Sequence, residues 1–174
     1  SWTSGNVAYD FITVRASTTN ANLPVDGTAY TSSSSFGSGS SIGSSSPYSY
    51  VVYYSTSTSV AVSNLSPATN YVANASTYNG LSGAQNYLTA GYPVEGFTTL
   101  ATQPTGNCNS AYFTDVTDNA MTVHWVRPTT GAGSNVIVTM CAATAADLPV
   151  DQNNYTASTV YGSGSLIGSS YINF

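Results

Sequence analysis

The 174-residue chain has no lysine, two arginines (Arg15 and Arg127), one histidine and two cysteines, and only 5% of its residues are charged. Each shortage removes a class of function. Seven acidic residues against two cations, for a net charge of −5, leave no basic track along a phosphate backbone, which excludes nucleic acid as a partner. No apolar run approaches the ~20 residues that a helical membrane span requires. A lone histidine makes acid–base chemistry hard to assemble: His124 neighbours Trp125 on an alternating stretch and should face away from the core. No activated nucleophile or orienting carboxylate is arranged around it as a Ser-His-Asp site needs. Two cysteines outside any Cys-x-x-Cys motif do not make a zinc site. There is also no initiator Met, charged n-region or apolar h-region, so the sequence reads as a mature or excised piece.

Hydroxyls, amides and tyrosines stand where charges usually stand. At 41% hydrophobic and 12% aromatic, the chain carries far more apolar side chain than sequences unable to bury a core. Period-two alternation dominates and no 3.6-residue stripe is found, so the class is all-β. In "AMTVHWVRP", Met121, Val123 and Trp125 share one face, with Pro128 ending the strand, and Trp125 is expected in the core. "YDFITVRAS" (9–17) and "NVIVTMCAA" (135–143) read as corresponding strands. In "YSYVVYY", Tyr48, Tyr50, Val52 and Tyr54 are expected on one face, with Val51 and Tyr53 opposite.

One segment occurs twice. "LPVDGTAYTSSSSFGSGSSIG" (23–43) returns as "LPVDQNNYTASTVYGSGSLIG" (148–168), displaced by 125 positions. The chain therefore reads as about 1.4 repeats, divided into residues 1–101 and 102–174. Asp26 and Asp151 follow Pro-Val in the two copies and are expected to cap turns through their own backbone. Gln152, standing where the first copy has Gly27, conflicts with a turn that needs positive φ.

These landmarks resemble the fibronectin type III family: a strand-B Trp (Trp125, with Trp2 as its counterpart), strand C, then "TSVAVSNLSPATNYVANAS", similar to that family's strand E, its Leu65-x-Pro67-x-Thr69-x-Tyr71 corner and strand F. The duplicated segment resembles an insertion between strands C and E in a long variant found in secreted multidomain proteins of Bacteroidetes-type bacteria. The resemblance implies tandem immunoglobulin-like antiparallel β-sandwiches and an extracellular, cell-surface setting. It also implies that the first repeat lacks strand A and most of B, and that the second lacks E, F and G. A neighbouring subunit or further sequence would complete them.

Candidate sites follow from this frame. Cys108 and Cys141 both fall in the second repeat, and a disulfide between them is expected; two buried thiols or a bridge to another chain are the alternatives. Asn64, Asn74 and Asn154 fit the N-glycosylation pattern, with Asn64 disfavoured by Pro67, and a glycan coat would keep an almost uncharged protein soluble. Asp147 with Asp151 lacks the ligand ladder of a calcium loop, so no metal and no cofactor are expected. The function expected is that of a structural or adhesive fibre subunit that self-associates head to tail and has no catalytic activity. The alternative is a carbohydrate-binding or spacer module array of a secreted enzyme or adhesin.

Overall fold

The computed structural model describes residues 9–80, 83–142 and 145–174, so Trp2 lies outside the described residues. Among them every regular element is a strand and all strand pairing is antiparallel, as the alternation implies. None is a helix long and apolar enough to cross a membrane. Contacts divide the chain into two compact units, Ser1–Thr102 and Gln103–Phe174.

In the first unit β1 (Tyr9–Arg15), β2 (Ser41–Ile42), β3 (Ser49–Ser55), β4 (Asn70–Asn79), β5 (Asn86–Tyr87) and β6 (Val94–Thr98) form one sheet. Its order is β2-β3-β1-β4-β5, and β6 also pairs with β4. Both faces are covered. Phe11, Ile42, Val51, Tyr78 and Tyr87 form a buried cluster joined by Tyr9 and Tyr30; Val14, Val52 and Tyr71 form another, flanked by Phe36, Tyr53, Val62 and Leu65.

A β-bulge explains how adjacent residues reach both clusters with so few polar positions between them. Ile12 opposes Tyr53 and Thr13 opposes Val51, which leaves Val52 as the extra residue. Directly opposed residues share a face, so Tyr50 goes with Val14 and Tyr54 with Phe11. This corrects the expectation that Tyr50 and Tyr54 lie together, because an inserted residue resets the alternation.

Two expected strands are shorter in the structure. "TSVAVS" forms only a single parallel bridge, Ser35 to Ser63, because its other edge has no partner among the described residues. Of "NVIVTMCAA" only Thr139–Met140 is strand. The second unit contains β7 (Asn109–Thr114) paired with β8 (Thr122–Val126), and a three-stranded sheet of β9 (Thr139–Met140), β10 (Leu166–Ile167) and β11 (Ser170–Ile172) in the order β10-β11-β9.

The ring of Phe11 is the hub of the first cluster, within 5.0–6.1 Å of Tyr30, Tyr78 and Tyr87. Phe11→Ala is expected to destabilise the first unit by about 3–5 kcal/mol, whereas Val116→Ala, at an exposed position, should change stability by no more than about 0.5 kcal/mol. Urea unfolding followed by tyrosine fluorescence measures both.

Candidate assembly surface

The duplicated segment folds the same way twice, down to individual hydrogen bonds. Val51 accepts from Ser33 N–H at 3.1 Å and donates to Ser40 C=O at 3.0 Å; Ile172 accepts from Ser158 at 3.2 Å and donates to Ser165 at 2.9 Å. The tyrosine hydroxyls of Tyr30 and Tyr155 accept from the amides of Val25 and Val150, and Ser40 and Ser165 take the amides of Thr31 and Thr156 on their Oγ atoms. A Cβ at Gly39 or Gly164 would collide with the carbonyl of Val51 or Ile172, so only glycine admits this approach. Gln152 does adopt the positive φ of Gly27, at 68° against 73°. The turn geometry is kept by the hydrogen-bonded frame around it rather than by residue preference.

Pairing shows where the copies differ in length. Ser41 opposes Tyr50 and Ile42 opposes Ser49, while Leu166 opposes Tyr171 and Ile167 opposes Ser170. The first positions of these pairs are 125 residues apart and the second 121, so the second hairpin is four residues shorter. That shortening gives Asp147, the counterpart of Asn22, a different task. Asn22 donates to Ile42 C=O, whereas Asp147 Oδ2 receives Ser169 N–H at 2.7 Å and the hydroxyls of Ser169 and Ser170, each at 3.0 Å. The Ser169 amide, then the two hydroxyls, hold the Asp147 carboxyl below the ordinary carboxylate range.

Asp26, expected to cap a turn through its own backbone, is used otherwise. Asp26 Oδ1 accepts the amide of Tyr87, 61 residues away, at 2.8 Å, because β5 runs past the inserted segment. Tyr87 Oη in turn donates to Thr28 C=O, and its phenol is pushed up to about 12, chiefly by burial and then by the neighbouring Tyr78, Tyr30 and Asp26. Asp151 is exposed.

The remaining candidates are distributed as follows. Cys108 and Cys141 are both free thiols, Cys108 exposed and Cys141 hydrogen-bonded to Ala145 C=O at 3.1 Å, so the expected bridge is not formed. Asn74 is buried with its Nδ2 on Ala21 C=O, which leaves a glycan no room on the folded chain. Asn64 is exposed but its Nδ2 ties down Phe36 C=O. Asn154 is exposed. Leu65 is half-buried against the second cluster and Tyr71 is fully buried within it. His124 stacks on Tyr112 with ring centroids 4.6 Å apart, and its Nε2 lies 2.8 Å from Thr114 Oγ1. That hydroxyl gives its hydrogen to Asp115, so the imidazole is oriented by the threonine and does not activate it. Both arginines donate to loop carbonyls, Arg15 to Pro47 and Asn20, and Arg127 to Gly133 and Ser134.

Sequence reasoning did not reveal a broad groove among the described residues of the second unit. Trp125, expected in the core, is only half-buried and tilts against Phe174 at 5.2 Å. It lines a groove of about 860 Å³ with Val123, Val138, Met140, Tyr161 and Phe174. No motif marks it: the apolar residues that line it alternate as those of any strand do.

Comparison of the chain with protein-family models, with curated proteins and with solved structures returns no match. The class that the geometry defines is an all-β protein of antiparallel sheets, in which one duplicated segment makes the same hydrogen bonds twice.

Two measurements check these assignments. The depressed Asp147 carboxyl stabilises the folded hairpin at pH values above its unfolded value near 3.8, and that contribution is lost as pH falls through the lower folded value. Protection of the Ser169 amide, measured as its exchange rate relative to the intrinsic rate at each pH, should therefore fall in acid below about pH 4, and in Asp147→Asn it should be lower throughout the neutral range. Glycopeptide mass spectrometry of the protein from its natural source should find no sugar on Asn74.

Proposed function

We propose that the chain is a structural subunit of an extracellular bacterial fibre built from tandem fibronectin type III-like, immunoglobulin-like β-sandwiches, glycosylated on its hydroxyl- and amide-rich surface and without catalytic activity. The observation that carries this reading is the contrast between the two copies of one module. The first has apolar side chains covering both faces of its sheet. The second has the same hydrogen-bonded frame, yet presents Trp125, Tyr161 and Phe174 to an open groove. Surfaces of this kind, complementary to another part of the same molecule and not to themselves, associate head to tail and extend without closing.

Composition supports the same reading. A chain with two cations, both engaged with its own loop carbonyls, offers apolar and hydrogen-bonding contacts to a partner rather than charge. The exposed Asn154 and the serine-rich hairpins are where a sugar coat would sit.

Negative-stain microscopy of the purified protein at rising concentration tests the proposal. Filaments with a regular axial repeat are expected, and their assembly should be nearly independent of salt, since the contacts carry almost no charge. Dispersed monomers at every concentration, or beads joined by flexible spacers, would refute the fibre reading.

A further inference from the structure

One dipeptide in the first unit combines reactive chemistry with a conformation that the fold cannot give up. Asn79 is the last residue of β4, where it opposes Asn86 of β5, and its side chain is exposed. Gly80 follows at a φ of 88°, and a Cβ there would collide with the carbonyl of Ala84, so only glycine fits. Asn79 is therefore always followed by the one residue that has no side chain to shield its backbone nitrogen.

Comparable groups elsewhere are held. The Nδ2 groups of Asn22, Asn64, Asn74 and Asn173 donate to the carbonyls of Ile42, Phe36, Ala21 and Ser158. The other acidic-or-amide residue followed by glycine is Asp26, and both of its reacting groups are engaged: Asp26 Oδ1 accepts the Tyr87 amide at 2.8 Å, and Gly27 N–H donates to Gln85 C=O at 2.7 Å. Asn79 instead lines an open cavity of about 510 Å³ with Thr77, Asn86 and Leu88, which gives water access to it. Neither its Nδ2 nor the Gly80 nitrogen has an acceptor among the described residues.

We propose that Asn79 is a site of spontaneous deamidation that ages the hairpin between β4 and β5. The Gly80 nitrogen forms a bond to Asn79 Cγ, the Cγ–Nδ2 bond breaks, and the amide hydrogen of Gly80 leaves with Nδ2 as ammonia. Water then opens the five-membered ring at either carbonyl, giving aspartate or, with one extra methylene in the main chain, isoaspartate. No oxidant, metal or partner takes part, so the conversion proceeds whether or not the chain forms fibres. Its structural effect falls on the adjacent pairing. The added methylene shifts Asn79 against Asn86 and with it moves Tyr87, whose amide and hydroxyl fasten β5 to Asp26 and Thr28 of the inserted segment.

The purified full chain is incubated at neutral and at mildly alkaline pH and its peptides are followed by mass spectrometry, with isoaspartyl methyltransferase as the probe for the rearranged product. The peptide holding Asn79 should gain one dalton at least fivefold faster than any other asparagine-containing peptide, and should become a methyl acceptor. Conversion should be faster in the alkaline sample, because the attacking amide must lose its proton. Asn79→Gln, which would need a six-membered ring, should lose the signal. Chain unfolded in urea supplies the rate without a fold. An Asn79 that converts there but stays intact in the folded chain shows that the hairpin holds the backbone away from ring closure and overturns the proposal, as does faster conversion at another asparagine. Exchange of the Tyr87 amide should be faster in the converted chain than in the intact one, and equal rates overturn the loosening of β5.

Discussion

Val51 gives both its backbone N–H and its C=O to the serine-rich inserted segment, and Ile172 does the same in the second unit. Most of the architecture depends on this pair of bonds. An edge strand with free amides invites pairing with other chains. Here the edge is closed by a loop that crosses it, anchored through Ser33 and Ser40 in one unit and Ser158 and Ser165 in the other. The closure works only if the loop comes into contact with the strand carbonyl, which is why Gly39 and Gly164 stand where any Cβ would collide. With the edge sealed, the serine-rich run, whose composition resembles that of disordered segments, becomes a fixed part of the fold.

Alternation made the strands legible, because a period of two has one physical cause, the pleat. It did not make the faces legible. Val51 and Val52 are both buried, in different clusters, while Tyr50 and Tyr54 part company, because one bulged residue breaks the period and leaves no trace in composition. The duplicated segment was visible as a duplication, but the tasks of its residues were not. Asp26 reaches Tyr87, and Asp147 reaches Ser169 and Ser170, through pairings set by the rest of each unit. Asn74 fits a glycosylation pattern and is buried, since a three-residue motif carries no information about the strand that holds it.

The groove was the least legible feature because it is defined by what does not cover it. Trp125 has the neighbours and alternation of a core residue, yet it is half-buried against Phe174. The duplicated segment allows a comparison residue by residue, at the same hydrogen-bonded positions, of how two copies of one stretch are used.

Magnitudes indicate what a joint at this groove must use. Completing the burial of Trp125, Met140, Tyr161 and Phe174 contributes at most about 6–12 kcal/mol, two of the four being half-covered already. Bringing two chains together costs roughly 4–15 kcal/mol, so apolar contact alone comes out near zero. Directional contacts therefore decide the outcome. The edge of β8 that has no partner among the described residues offers backbone bonds worth about 0.5–1.5 kcal/mol each. A greasy but unpaired ligand leaves those bonds unmade, whereas an extended strand makes them, so a joint at this groove favours a β segment over a lipid or a helix.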